Sequence, residues 1–213
     1  MADKTGITWC NKTWNPWRGC TKITPGCTNC YMFTEQYRYK LDPTVVTRTG
    51  NDIWKKPKKW TKEAERDGKR LLVFTCSWSD WFHVDADPWR AEAWKIVKDN
   101  PLLIFQILTK RHERMAECLP PDWGTGYENV WLGVTVENNK YVHRADALRA
   151  TPARIKFISA EPLIWAIPDL DLTGIHWVIT DGESGPDYRP MDPAWAIELR
   201  DKCKAAGVAF FHK

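Results

Sequence analysis

The feature that most constrains the fold of this chain is an alternation of apolar runs with amphipathic segments, which begins at residue 71. Six apolar runs have the length and composition of strands buried on both faces: 71–76, 102–109, 130–136, 155–159, 176–180 and 208–212. Four segments between them have helical spacing: 88–100, 111–119, 139–150 and 193–206. This order predicts βα units, in which helices connect consecutive parallel strands.

The residues before this alternation are less regular. We predict a short first strand at residues 7–9 and a helix at residues 31–40. Residues 41–69 are more charged and are interpreted as a charged excursion within the single domain. A chain of 213 residues with 43% hydrophobic content can bury one full core. We therefore predict an α/β fold in a single domain, residues 1–213: a partial TIM-like barrel of about six or seven parallel strands with helices outside.

Polar residues follow the predicted strands, at the ends where a parallel sheet gathers its ligand-binding groups. Six of them are predicted to surround a ligand on this rim: Ser77, Asp80, Lys110, Glu137, Glu161 and Glu183. Glu161 and Glu183 are the preferred acceptors for a ribose hydroxyl or an α-amino group. Lys110 and Lys213 are candidate partners for a carboxylate, and the turn at 182–185 contains two glycines that allow close backbone approach. Helix capping is the alternative explanation for any one of these polar residues.

Three cysteines, Cys20, Cys27 and Cys30, lie in a polar loop at residues 18–31. Thiolates bind soft or borderline metals, and a Cys-x-x-Cys pair can bind one ion or two neighbouring irons. Three thiolates suit a [4Fe-4S] cluster with one iron open to a small-molecule ligand, whereas a structural zinc site needs four ligands. Cys10 as a fourth ligand keeps open the alternative of a zinc-stabilised nucleic-acid-binding module without catalysis. The other cysteines lie in predicted strands or helices and are not predicted ligands: Cys76, Cys118 and Cys203.

The cysteine loop resembles a lengthened radical S-adenosylmethionine (SAM) motif, with spacings of x6 and x2 in place of the usual x3 and x2 and with Tyr31 beside the last cysteine. Nearly the whole chain resembles an uncharacterised family of phage-encoded three-cysteine proteins that is distantly similar to spore photoproduct lyase. The likeness is carried by TWNPWRGCTKITPGCTNCY, SDWFH, LTKR, NVWLGVTVE, FISAEPL and DGESGPDYRPM. One departure is Asp181, where the resemblance leads us to expect a glycine.

The resemblance implies a partial barrel that holds a four-iron cluster near its mouth, with SAM as a candidate ligand of the open iron. In radical SAM enzymes, one electron passed to the cluster cleaves SAM to a radical that takes a hydrogen atom from the substrate. An electron donor would then be a partner, and a nucleotide-type molecule is a candidate substrate.

Charge and hydropathy limit the remaining partners. The net charge of +4 permits an anionic partner such as nucleic acid, but it is below that of a dedicated nucleic-acid binder. No stretch has the apolar length of a signal peptide or a membrane span, so we predict a cytoplasmic protein, in the host cytoplasm if phage-encoded, with no membrane partner.

The chain contains fourteen tryptophans, eight of which are assigned to three places. Those near the cysteine loop are predicted to shield a cluster from water: Trp9, Trp14 and Trp17. Those on the rim are predicted to stack on a base or adenine: Trp78 and Trp81. Those within strand or helix patterns are predicted to lie in the core: Trp94, Trp131 and Trp177.

Overall fold

A computed structural model describes residues 5–185 and 187–213 of the chain. Its strands, in chain order, are β1 (Lys12–Trp14), β2 (Trp17–Arg18), β3 (Thr47–Arg48), β4 (Leu71–Thr75), β5 (Leu103–Thr109), β6 (Val130–Thr135), β7 (Ile155–Ala160), β8 (Trp177–Thr180) and β9 (Ala209–His212). Seven of them form one parallel sheet in the order β1-β4-β5-β6-β7-β8-β9, while β2 and β3 form a separate antiparallel pair. The sheet curls into a half-barrel, which confirms the predicted partial TIM-like barrel.

Helices pack around the sheet. They are α1 (Tyr31–Arg38), α2 (Asn51–Trp54), α3 (Lys56–Asp67), α4 (Asp87–Asp99), α5 (His143–Ala150) and α6 (Pro193–Ala206). Buried side chains of α3, α4 and α6, such as Trp60, Trp94 and Leu199, share one hydrophobic core with strand residues such as Phe105. Among the described residues, no helix is long and apolar enough to cross a membrane.

A second apolar cluster fills the opposite side of the sheet. Its buried members are Trp9, Phe74, Phe157 and Ile179. The Trp9 ring lies 4.6 Å from the Phe74 ring and 6.0 Å from the Trp177 ring, measured between centroids. The residue therefore links the β4 and β8 sides of the half-barrel, although it precedes β1 in the chain.

Two predicted elements before residue 71 are corrected. The strand predicted at residues 7–9 is wrong: β1 begins at Lys12, and Trp9 packs in the second apolar cluster instead. The segment at 41–69 is not only an excursion, because it contains β3, α2 and α3. Trp60 and Ala64, four residues apart on α3, are both buried against the sheet side of that helix.

Two predicted elements after residue 71 also differ. The helix predicted at 111–119 is wrong: the chain forms two 3₁₀ turns there, His112–Arg114 and Ala116–Cys118. The last strand is present but is not buried on both faces, since Ala209 and His212 are exposed. β9 is an edge strand, so no further strand covers it.

Candidate metal centre

The cysteine loop (residues 18–31) crosses the mouth of the half-barrel, which is formed by the carboxyl ends of the parallel strands. At its start, Gly19 N donates a 2.9 Å hydrogen bond to Trp78 O, just after β4. Near its end, Asn29 Nδ2 donates a 2.9 Å bond to Glu183 Oε2, just after β8. The loop is thus fixed to residues that follow β4 and β8, two strands separated by three others in the sheet.

The loop brings its three thiols together around Cys27. All three are partly buried; burial raises the pKa of both Cys20 and Cys30, and the neighbouring Cys27 adds to each rise. Within residues 5–185 and 187–213, no three His, Cys, Asp or Glu side chains are arranged to hold a single metal ion. The thiols are therefore close enough to interact but are not arranged as a single-ion site.

Arg111 connects Cys20 to the rim. Its Nη1 lies 3.5 Å from Cys20 Sγ and 3.3 Å from Asp80 Oδ2, and its Nη2 donates to Thr21 O over 3.0 Å. Burial raises the pKa of the Cys20 thiol to about 12, and the charge of Arg111 opposes that rise. Asp80 is itself buried and also accepts from Thr109 Oγ1 and the Lys110 amide, so it positions Arg111 rather than facing a ligand.

Glu183 holds the far end of the loop together with Arg189. Its Oε2 accepts from Asn29 Nδ2, from the Arg189 amide (2.7 Å) and from Arg189 Nε (3.0 Å), while its Oε1 accepts from Arg189 Nη2. The same Nη2 donates to Pro25 O over 2.8 Å. Burial alone would raise the pKa of Glu183, but the hydrogen bonds from Arg189 and Asn29 outweigh it and hold the pKa at about 2.

Gly26, at the centre of the loop, lies directly on the side chain of Glu137. A Cβ at Gly26 would be 3.0 Å from both Cγ and Oε1 of Glu137, which is tighter than nine in ten real Cβ contacts and would require the Glu137 side chain or the loop to shift. Glu137 is fully buried, and its Oε2 accepts a 2.8 Å bond from Arg144 Nη1. Its Oε1 has no hydrogen-bond partner among the described residues. Glu137 therefore lies beneath the loop.

Four charged side chains at the strand ends interact with one another, and one of them, Lys110, also acts on Cys30: Lys110, Glu161, Asp181 and Lys213. Burial raises the pKa of the Cys30 thiol, against the charge of Lys110. Burial also raises the pKa of Glu161. The charges of Lys213 and Lys110 oppose this rise, and the charge of Asp181 adds to it. Lys213 Nζ lies 3.1 Å from Asp181 Oδ2, and Ser159 Oγ donates to Glu161 Oε1 over 3.2 Å. Lys110 thus acts on both the thiol and the carboxyl group.

Tyr31 ties the end of the loop to the rim, because its hydroxyl donates a 3.0 Å bond to Ser77 O. The Ser77 side chain bonds to the side chain of Asn15. Its Oγ accepts a 3.0 Å hydrogen bond from Asn15 Nδ2 and donates one of 3.3 Å to Asn15 Oδ1. Ser77 contributes to the site through its backbone.

The sequence matches, over residues 4–213, a protein family described as "Protein of unknown function (DUF5131)". The chain belongs to this family. No curated protein matches it. The phage origin expected from the sequence is not tested by these matches and stays a prediction.

Solved structures of spore photoproduct lyase have a similar fold. A mutant of that enzyme with dinucleoside spore photoproduct gives a TM-score of 0.63 at 11% identity, covering 99% of this chain and 78% of that chain. Another mutant, with bound AdoMet and the dinucleoside, gives 0.61 at 12% identity, covering 96% and 76%. At this identity the likeness shows the fold alone, and it agrees with the predicted partial barrel similar to that of spore photoproduct lyase. The ligands named belong to those proteins.

The remaining cysteines of this DUF5131 member lie apart from the loop, with one exception. Cys10 is on the side of the second apolar cluster, and burial raises its pKa to about 11. Cys118 accepts from Arg114 Nη2, and Cys203 is buried in α6. Cys76 is the exception: it directly follows β4, and burial raises its pKa, to which the nearby Asp80 and Cys20 add.

The predicted roles of the tryptophans are partly corrected. Trp81 cannot stack on a ligand, because it is fully buried with its ring 5.1 Å from Trp17 and 5.0 Å from Trp94. Trp14 and Trp17 are also fully buried, next to the loop in sequence, whereas Trp9 belongs to the second apolar cluster. Trp131 and Trp177 pack against that cluster rather than within the main core, which does include Trp94.

Asn29, Arg111 and Arg189 hold the loop, although none of them is predicted above as a site residue. Arg111 and Arg189 lie within LTKR and DGESGPDYRPM, two of the segments that carry the family resemblance, and Asn29 lies inside the Cys-x-x-Cys pair. Their hydrogen bonds join residues 90 to 164 positions apart in the chain, so spacing alone could not reveal them.

Proposed function

We propose that this chain holds a [4Fe-4S] cluster on Cys20, Cys27 and Cys30, with one iron open to a small-molecule ligand. The observation that carries this proposal is the set of three interacting thiols on one loop at the mouth of a radical-SAM-like half-barrel. Each cysteine of such a cluster binds a different iron, so its ligands lie further apart than the ligands of one ion. The lack of a single-ion site in the described part of the chain is therefore compatible with a cluster.

The donor set also weighs against the zinc alternative. A structural zinc ion needs four ligands, and Cys10 is the fourth candidate that the sequence offers. The groups around the Cys10 thiol belong to Thr5, Lys12, Thr13 and Phe74, none of which lies in the cysteine loop. Three thiols without this fourth ligand fit a cluster better than zinc.

The candidate ligand of the open iron is SAM. Its amino acid end carries a carboxylate and an amino group, which Lys110 or Lys213 and Glu161 would bind beside Cys30. Glu183, Asp80 and Glu137 are already engaged by Arg189, Arg111 and Arg144, so they support the loop in this proposal. When bound, the cluster would supply an electron to SAM, and an electron donor would be a further partner.

The similarity of the fold to that of spore photoproduct lyase independently supports this assignment. A structure of that enzyme carries AdoMet and a dinucleoside within a fold that spans nearly all of this chain. We therefore propose a radical SAM-type enzyme with a nucleotide-type substrate.

Anaerobic purification followed by metal and sulfide analysis and a visible spectrum tests the proposal. Iron with equimolar sulfide supports it, whereas zinc without sulfide would establish the zinc-stabilised module instead. Calorimetric titration of the cluster-loaded protein with SAM then tests the ligand, and a dithionite-driven assay for 5′-deoxyadenosine tests cleavage. Binding heat without deoxyadenosine would leave a SAM-binding protein with no radical activity.

A further inference from the structure

An exposed aromatic surface lies beside the cysteine loop at the end of α1. Residues 37–40 are all exposed, and Tyr39 leaves 65% of its surface accessible. The Tyr39 ring lies 5.8 Å from the ring of Trp78, which is partly exposed on the rim after β4. Two exposed aromatic rings side by side form an apolar surface of the kind that marks an interaction site.

Two arginines, Arg18 and Arg38, lie close in the chain to residues of this aromatic surface. Of the thirteen arginines, ten lie within 4 Å of a carboxylate, and Arg70 donates to two backbone carbonyls. Arg18 and Arg38 have no partner among the residues that the structure describes. Arg18 precedes Gly19, whose amide bonds to Trp78 O, and Arg38 precedes Tyr39. Both unpaired guanidinium groups therefore belong to residues one position away in the chain from Gly19, which bonds to Trp78 O, or from Tyr39.

Lys40 adds a third cation in an unusual backbone position. Its φ is +56°, in the left-handed region where glycine normally follows a helix, and the Leu41 amide bonds to Gln36 O over 3.0 Å to close the helix end. A lysine in this conformation costs about 1 kcal/mol relative to glycine. A lysine thus follows Tyr39 at a backbone position that glycine would occupy with less strain.

We propose that this strip, formed by Arg18, Arg38, Tyr39, Lys40 and Trp78, binds single-stranded nucleic acid. Bases would stack on Tyr39 and Trp78 while the cations bind phosphates, which is how sequence-tolerant single-strand sites are built. The eight residues of α1 span about 12 Å, so Tyr39, at the end of the helix, is three or four stacked nucleotides along the helix axis from Cys30, at its start. A strand on the strip would extend toward the mouth. Only this last step rests on the proposed function, because binding to the strip needs no cluster.

Fluorescence anisotropy of the metal-free protein with a labelled oligothymidine of about twelve nucleotides tests the strip. We expect binding that weakens between about 50 and 200 mM salt, and weaker binding of a duplex of equal length. Tyr39→Ala should weaken single-strand binding about tenfold, and Arg38→Gln should reduce the salt slope by about 0.7. Arg200→Gln on α6 is the matched arginine control. Tyr37→Ala, equally exposed but with no ring neighbour, is the tyrosine control.

Three results would overturn this inference: no binding of the single strand by the unchanged chain, equal losses in the Arg200→Gln control, or self-association that Tyr39→Ala abolishes. The last would assign the strip to a second copy of the chain. Circular dichroism checks the fold of each variant, and Trp78→Phe replaces Tyr39→Ala should that variant unfold. Iron content is measured separately on the anaerobically purified chain, so a chain that contains no iron and sulfide after anaerobic purification, yet binds the strand, would refute the cluster and leave the strip standing.

Discussion

Asn29, which lies between Cys27 and Cys30, donates a 2.9 Å hydrogen bond through Nδ2 to Glu183 Oε2. The Cys-x-x-Cys pair is therefore held from outside the loop, by a carboxylate that follows β8. The following predictions test this arrangement and the cluster that it would support.

Replacement of each loop cysteine by alanine should remove iron, because the motif supplies no spare thiolate. Cys20→Ala, Cys27→Ala and Cys30→Ala are expected to lose most of their iron and sulfide after reconstitution, whereas Cys10→Ala should keep both. Iron and sulfide assays of the reconstituted variants measure this. Full retention in Cys27→Ala, or loss in Cys10→Ala, would contradict the ligand assignment.

Glu183→Gln should weaken the cysteine loop without unfolding the sheet. The variant loses the ion pair with Arg189, and removing a hydrogen-bonded charge of this kind costs about 1–3 kcal/mol. We expect faster loss of iron to a chelator and a lower melting temperature of the metal-free protein. Glu65→Gln, at an exposed position on α3, is the matched control. Equal chelator rates in the two variants would show that Glu183 does not hold the loop.

The contribution of Glu183 to stability should depend on pH in a defined window. Its pKa is about 2 in the folded chain against an ordinary value of 4.5, so the charged carboxylate stabilises the fold above pH 4.5. This stabilisation is lost as the pH falls from 4.5 toward 2. Urea unfolding of the metal-free protein should therefore show the parent and Glu183→Gln converging across that range. A constant difference between them would contradict the assigned pKa.

Gly26→Ala should displace the cysteine loop, because the added methyl group would lie 3.0 Å from the buried Glu137 side chain. Overpacking of this kind costs about 1–3 kcal/mol. We expect lower stability and less cluster after reconstitution. Gly6→Ala is the control, since nothing lies within 4 Å of a Cβ at Gly6. An iron content equal to that of the control would show that the loop can move without loss of the site.

Glu161→Gln should weaken SAM binding and leave the iron content unchanged. The substitution removes the carboxylate assigned to the amino group of SAM, and a charge-assisted hydrogen bond of this kind is worth about tenfold in affinity or more. Calorimetric titration of the cluster-loaded variant measures the change, with Glu198→Gln on α6 as control. Unchanged affinity would remove Glu161 from the ligand site.

Much of the architecture could be predicted because its signals are local. A buried parallel strand must be apolar on both faces, so runs such as 102–109 identified strands directly. The helix predicted at 193–206 is likewise present as α6, with Pro193 at its start and Gly207 just after its end, as these residues favour. The same reasoning failed for Trp9, whose role depends on contacts with β4 and β8 rather than on its neighbours in the chain.

The candidate site was less predictable than the fold. Strand ends indicated Lys110 and Glu161 as candidate ligand-binding residues, because parallel strands place their carboxyl ends on one face, and their role stays a prediction. Nothing in the sequence showed that Glu183 would be engaged by Arg189, or that Glu137 would lie beneath Gly26. A carboxylate that supports a loop and one that faces a ligand have the same chemistry, and only their neighbours distinguish them.

The sheet begins at β1 and ends at β9, and these two short strands are not paired with each other. A closed barrel admits only molecules small enough to enter its lumen through one end. An open seam along one side removes that limit, because a long chain can lie outside the barrel while a single unit turns inward. For the nucleotide-type substrate proposed above, this seam would mean that only the reacting unit has to fit the lumen, whatever the length of the molecule that carries it.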